Sequence, residues 1–544
     1  MSQSSGSNEA TGIPSEAIDI QVKVTNFNNE IFDITNLVYG FSIYEDLFTA
    51  TNSCEIVISD AEGLKEILPI VGDEHVTITY RTRGIKKAPG EQYRERIRSF
   101  KIFKLERVVE AAERQQSYMI QGVDDHQILN EMIDLNQSYV GQNCVTAIEN
   151  IFKSNFITNV DSEFRPFDIE PKLFGLGTED VIPSINTSFY ISPGVTPFES
   201  IKYLKDEAEH SASPTNLSDY VFYQDYVGFH LTTLTELKSQ KARFDFTVKD
   251  MGADADNKSK QVTGGTSSIM ENSSKEAQQS NNLDQEDSLT VLDYRINKTF
   301  DTLHHLALGT YGNRVAAIDL LTKQFDEKSF SYHSEYKSLS TLHSTRLLSD
   351  PSIFKFSGST HTRYLPTELL SNSIPDGAPK SFNNERSSYS QTPYFYPVGG
   401  SGKEEGTIKN EDANERLQDI ISKDPKINNP RRKHYILNKL VGAKGLLDSM
   451  VIDIQIPGNS DIKVGDTINF YVPQTSASLS SSQYNLFFGQ ADPKFLVVKC
   501  RQAYVNEVSS YQTNLTIVKD SFKDEVSTIV NKVKDYQGQS KGEN

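Results

Sequence analysis

One phrase is written twice in this chain. "VGDEHVTITY" starts at Val71 and "VGDTINFYVP" starts at Val464, nearly four hundred residues later in a chain of 544. In each copy Val-Gly-Asp leads into an alternation of apolar and polar residues, the pattern of a half-buried β-strand. A loop follows, then a long second segment: "FKIFKLERVVEAAERQQSYMIQGVDD" from Phe100 and "FLVVKCRQAYVNEVSSYQTNLTIVKD" from Phe495. The two segments align without a gap, so that Phe100 meets Phe495, Ile102 meets Val497, Lys104 meets Lys499, Ile120 meets Leu515 and Asp125 meets Asp520. The Gly-to-Phe spacing differs by two residues, which the loop absorbs. A Gly-Asp turn before a strand is common enough to arise twice independently, because glycine supplies a conformation closed to other residues and aspartate bonds nearby N–H groups. An ungapped hairpin with its apolar face at the same alternate positions points instead to a duplicated β module.

The periodicity divides the chain around those copies. Residues 1–17 read as a disordered polar leader. Residues 18–123 keep a period of two and form the first β domain, with a hairpin turning near "EAAERQ". At Asp124 the period becomes helical: 124–195 is a helical and loop region, with Asp124 and Asn143 as N-caps of two helices. Residues 196–249 read as a helix followed by a β-hairpin, part of either the second β domain or an intermediate domain. Thr196 stands there at the N-cap, Pro197 in the first turn and Glu199 at the third helical position. Residues 250–288 hold almost nothing that can be buried and read as a flexible linker or insertion. Residues 289–434 are an α+β intermediate region with a flexible loop at 372–415, and 435–520 are the second β domain. In 521–544, Phe522, Val526, Ile529, Val530 and Val533 fall on one helical stripe, which either docks on the second β domain or forms an intermolecular contact. The expected class is mainly β with α+β insertions, built on two duplicated antiparallel β-barrel or sandwich domains.

Composition excludes several functions. The net charge of −18 disfavours non-specific nucleic-acid binding, which needs Lys and Arg to displace counterions. It suits either plain solubility or a surface that nucleic acid passes without sticking. No window holds the ~18–20 consecutive apolar residues of a membrane span, and the first residues do not have the basic and apolar regions of a signal peptide. Cys54, Cys144 and Cys500 form no CxxC pair. Cys54 and Cys500 sit at apolar positions of strands, as buried reduced thiols do, so synthesis and assembly in a reducing cytoplasm are expected.

Catalytic, cofactor and metal signatures yield no site residues. "VGGSGKEEG" echoes a phosphate loop, but Pro397 stands where the first glycine belongs and Glu404 follows Lys403. His304 and His305 are adjacent and diverge on a helix. His333 and His343 lie ten apart with no HExxH nearby. Asp124 and Asp125 could pair for hydrolysis, but their position between a strand and a helix suits capping. No GxSxG or Cys/His pattern occurs.

"LFTATNSCEIVISDAEGLKEILPIVGDEHVTITY" resembles the N-terminal tube-like domain of the baseplate central hub proteins of T-even-type contractile-tailed phages. "INKTFDTLHHLALGTYGNRVAAIDLLTKQFDEKSFSY" and "IQIPGNSDIKVGDTINFYVP" are similar to later segments of that family. Type VI secretion spike proteins begin with related domains but continue into a repetitive β spike. The stretches 250–288 and 372–415 depart from the family's leaner plan. The resemblance implies a non-catalytic homotrimer whose paired tube-like domains form a pseudo-sixfold ring. Its expected partners are a trimeric spike protein, a hexameric tail tube or tube-initiator proteins, and baseplate wedge proteins. It implies a channel for DNA ejection and a place in the virion tail baseplate after assembly in the host cytoplasm, with no specific nucleic-acid binding and no membrane insertion. Two other readings stand beside it: a tail-tip cell-wall hydrolase carried on β scaffolds, with its site within 124–434, or the hub of a phage-like contractile injection system.

Overall fold

The computed structural model describes residues 18–82, 96–158, 172–248, 289–346, 391–396, 442–472 and 493–522, less short breaks inside those spans. The phosphate-loop-like segment, His333, the 250–288 linker and the stripe from Val526 to Val533 lie outside the described residues.

The first module starts with β1 (Ile18–Thr25), β2 (Ile31–Asp33), β3 (Val38–Asp46) and β4 (Ser53–Asp60). It ends with β5 (His75–Thr82), β6 (Arg96–Ala112) and β7 (Gln115–Val123). Burial alternates without a break along β4 and β5. Cys54, Ile56, Ile58, Val76, Ile78 and Tyr80 therefore face one core with Phe100 and Ile120. Each such aliphatic or aromatic side chain contributes about 1.5–3 kcal/mol by leaving water.

A helical layer follows. Helix α1 (Asp125–Met132) starts where Asp124 accepts the His126 N–H, and α2 (Cys144–Phe152) starts where Asn143 accepts from Val145 and Thr146. Both caps are where the sequence puts them. In α3 (Pro197–Glu207) the first-turn proline is present, but Thr196 makes no side-chain cap bond. The small strands β8 (Leu173–Phe174), β9 (Tyr220–Gln224) and β10 (Phe229–Thr233) form a sheet of their own beside these helices. Helix α4 (Leu234–Ser239) then leads into β11 (Phe244–Val248).

The second module is not contiguous. Its strands are β11, β12 (Thr290–Val291), β13 (Asp293–Lys298), β18 (Met450–Pro457), β19 (Thr467–Tyr471), β20 (Lys494–Val505) and β21 (Ser510–Lys519). It thus draws strands from well outside 435–520. Between β13 and β18 lie α5 (Thr302–Leu308), β14 (Gly312–Asp319), β15 (Gln324–Ser331), β16 (Thr345–Arg346) and β17 (Gln391–Tyr396). β17 corrects the expectation of an irregular 372–415: "QTPYFY" is rich in β-forming residues and pairs parallel with β14. Phe522 also departs from its expected helical stripe. It lies buried in β22 (Ser521–Phe522), paired with β16.

The two modules share one strand order. In the first it is β3-β4-β7-β6-β5-β1-β2, and in the second β13-β18-β21-β20-β19-β11-β12. From Lys101 to Glu106, and from Leu496 to Arg501, the registers agree residue by residue. Ile102 stands opposite Gly122, and Val497 opposite Ile517; Leu105 stands opposite Ile120, and Cys500 opposite Leu515. The ladder is interrupted at the same place in both copies, between Ile102 and Lys104 and between Val497 and Lys499. A β-bulge re-aims a strand, so a shared bulge marks a copied strand. The copies differ at one flank: β1 runs antiparallel to β5, whereas β11 runs parallel to β19.

Candidate assembly interface

The turns before β5 and β19 explain why the phrase recurs, with one amendment. Gly72 and Gly465 both have positive φ, 106° and 86°, a region that favours glycine. The Asp466 carboxylate accepts the Lys463 N–H, as the phrase suggests. In the first copy, however, the carboxylate that accepts from Val71 and Gly72 belongs to Glu74. Glu74 O accepts from Ile102 as Asp466 O accepts from Val497, so Glu74, not Asp73, is the structural counterpart of Asp466.

The modules join edge to edge. The outer edge of β3 pairs antiparallel with the second half of β20, from Gly40 opposite Val505 to Asp46 opposite Lys499. One continuous sheet of 14 strands results. Arg501 donates to Ser42 Oγ at 2.9 Å, and Lys499 Nζ lies 3.0 Å from Asp46 Oδ2. Tyr511 of the second module belongs to the core of the first, 6.2 Å from the Tyr80 ring. Arg96 of β6 donates to Ser460 O at 3.1 Å and to Asp461.

Buried charge runs along this seam. Arg98 Nη1 bonds Glu45 Oε1, and burial pushes the Glu45 carboxyl up to about 7, with Arg98 opposing the rise. Asp225 Oδ2 lies 2.6 Å from Lys463 Nζ and 2.9 Å from His230 Nε2. Burial works against ionisation of Asp225, but these two partners hold its carboxyl well below the usual range. Arg243 donates to Asp466 at 3.0 Å, and burial still raises the Asp466 carboxyl. These groups come from both modules and from the β9–β10 turn, so the network ties three parts of the chain together. A cleft of about 440 Å³ lies beside the seam, lined by Asp46, Asp293, Arg295, Asp453, Lys499 and Arg501 among others.

Other sequence candidates occupy structural positions. Asp124 bonds Gln224 as well as His126, and Asp125 lies 2.8 Å from His75. The two carboxylates therefore serve a cap and a tie between elements. His304 is half-exposed near Asp448, and His305 is fully buried beside Thr310. Cys54, Cys144 and Cys500 are buried thiols outside any disulfide. Among the described residues, no three His, Cys, Asp or Glu side chains gather to hold a metal, and no helix is long and apolar enough to cross a membrane. Sequence reasoning missed Glu45, Arg98, Asp225 and Lys463. Glu45 and Arg98 stand within strands and Asp225 and Lys463 in the turns beside them, and nothing along the sequence marks these four charges as buried.

No family model and no curated protein matches the sequence. Solved structures similar to the chain include a tail protein from Neisseria meningitidis, at 8% identity and TM-score 0.43, covering 92% of this chain and 97% of that one. The 43 kDa tail protein of prophage MuSo2 from Shewanella oneidensis is similar at 9% identity and TM-score 0.40, covering 93% and 100%. A chain of the Francisella PdpA-VgrG complex is similar at 9% identity and TM-score 0.38, covering 93% of this chain and 59% of its own length. Likeness at this level puts no family name on the chain.

Proposed function

We propose that the chain is the structural hub of a contractile phage tail. Three copies form a ring of six like modules. One face adapts to a hexameric tail tube or tube-initiator proteins and the other to a trimeric spike protein, with baseplate wedge proteins around it. The ring leaves a channel for DNA ejection, and the acidic chain, at net charge −18, gives DNA little to adhere to. The hub does no chemistry of its own. It works in the virion after assembly in the host cytoplasm, where its buried thiols stay reduced.

One observation carries this reading: two copies of one module, alike in strand order, register and bulge, are already joined edge to edge within the chain. A repeated unit with directional edges extends by the same contact until it closes, and closed cyclic rings are the ordinary outcome. The test is electron microscopy of the purified protein with its mass in solution. Threefold particles with six lobes around a hole are expected. A monodisperse monomer at tens of micromolar, or clearing of cell-wall substrate by the purified chain, would refute the reading.

A further inference from the structure

The inner seam has a donor edge and an acceptor edge, and each has a counterpart elsewhere in the chain. The donor edge is the second half of β20, whose counterpart by register is β6 from Lys104 onward. The acceptor edge is the outer side of β3, whose counterpart is the outer side of β13: β3 pairs with β4 as β13 pairs with β18. Both counterpart edges have no strand partner among the described residues.

These two edges expose side chains whose equivalents at the inner seam are buried. Val498, at the bulge of β20, is 5% exposed, whereas Phe103, at the matching bulge of β6, is 51% exposed. Ile43 of β3 is 0% exposed, whereas Ile296 of β13 is 38% exposed. Val108 and Val109 lie exposed along β6, and Phe300 and Leu303 just beyond β13. Long unpaired edges with exposed apolar side chains recruit another strand unless blocked.

We propose that β6 of one chain, around Lys104–Glu106, pairs antiparallel with β13 of a second copy, repeating between chains the seam found within one. The proposal rests on the ring reading and says which edges close it. Its register follows from the inner seam. Arg501 stands opposite Tyr44. Glu106 is the counterpart of Arg501, and Lys298 is the counterpart of Tyr44. Glu106 therefore faces Lys298, and opposite charges set directly across a ladder favour that register. Beyond Glu106 the β6 ladder shifts again, with Arg107 at φ 57°, where β20 runs on regularly. The intermolecular pairing is accordingly shorter than the inner seam. Each chain offers one β6 edge and one β13 edge that do not match themselves, so the contact is heterologous and propagates around a ring.

The test is a double variant of the full chain, Glu106→Cys with Lys298→Cys, oxidised and run without reductant. Cα atoms paired across strands lie within disulfide reach, and the native cysteines are buried. The expected product is a covalent species of three times the chain mass that reductant returns to single chains. Neither single cysteine variant should form it. A trimer by mass without the cross-link overturns the edge assignment and leaves the ring reading standing. A monomer by mass, or a covalent dimer, overturns both. Charge exchange supplies a second arm: Glu106→Lys and Lys298→Glu should each lower the trimer fraction severalfold, and the two together should restore it. No restoration in a folded double variant also counts against the pairing.

Discussion

Arg98 Nη1 lies 3.0 Å from Glu45 Oε1, and their side chains are 7% and 4% exposed. Glu45 also stands opposite Cys500 in the ladder that joins the two modules. This ion pair is therefore part of the seam, and charge buried there reports on the joint. Burial raises the Glu45 carboxyl from 4.5 to about 7, so the folded chain holds this proton more tightly than the unfolded chain does. Its contribution to stability is complete below about pH 4.5 and is lost as pH rises through about 7. Glu45→Gln should flatten that part of the dependence of Tm on pH, as read by thermal unfolding across the window. An unchanged slope would mean that Glu45 titrates normally.

Arg98→Met leaves the Glu45 carboxyl buried without its partner. Breaking a buried pair from one side costs about 3–5 kcal/mol. The loss should be larger above pH 7 than at about pH 5, where Glu45 is protonated in the fold. Urea unfolding at the two pH values reads the difference.

Asp225 behaves in the opposite sense. Held well below its usual 3.8 by His230 and Lys463, its carboxylate stabilises the fold above that pH, and the stabilisation is lost as pH falls towards the depressed value. Asp225→Asn should cost about 3 kcal/mol near neutrality and less in acid, so the variant and the parent should converge below about pH 3.8. Chemical denaturation at neutral and acid pH checks both parts.

Gly458 donates its N–H to Tyr511 O at 2.9 Å, and a Cβ there would lie 1.7 Å from the Tyr511 ring. Gly458→Ala must displace a ring that fills the first module's core from the second. Overpacking of this kind costs about 1–3 kcal/mol, which thermal unfolding would register. Tyr511→Leu should relieve much of that cost when combined with Gly458→Ala.

Asn143 caps α2 and accepts from Ser184 Oγ at 2.7 Å. Asn143→Ala should cost about 1–2 kcal/mol. Proteolysis should then cut faster within residues 144–158 than in either β module.

What could be read beforehand was what repeats or alternates. The copied hairpin, its ungapped alignment and the caps at Asp124 and Asn143 all depend on local pattern, which the chain carries in order. Other features were hidden because distant segments decide them. β13 looks like part of an intermediate region, and β11 like part of either that region or the second β domain; only pairing with β18 and β19 makes them members of the second module. Asp73 looks like the turn's acid because it follows Val-Gly, yet Glu74 has the reach to cap the first copy. Gln391–Tyr396 is a strand only because β14 lies alongside it. Glu45 and Arg98 are ordinary charges along the chain and become a buried pair only once the sheet folds over them.

The two modules differ most between one pair of matching strands. Residues 47–52 connect β3 to β4, whereas residues 299–449 connect β13 to β18. A connection about twenty-five times longer adds only about 3 kcal/mol of loop-closure entropy, because that cost grows with the logarithm of length. Evolution can therefore load this one hairpin with new sequence while the strands on either side keep their places. Divergence among descendants of this chain should gather there first, as branches grafted onto an unchanging trunk.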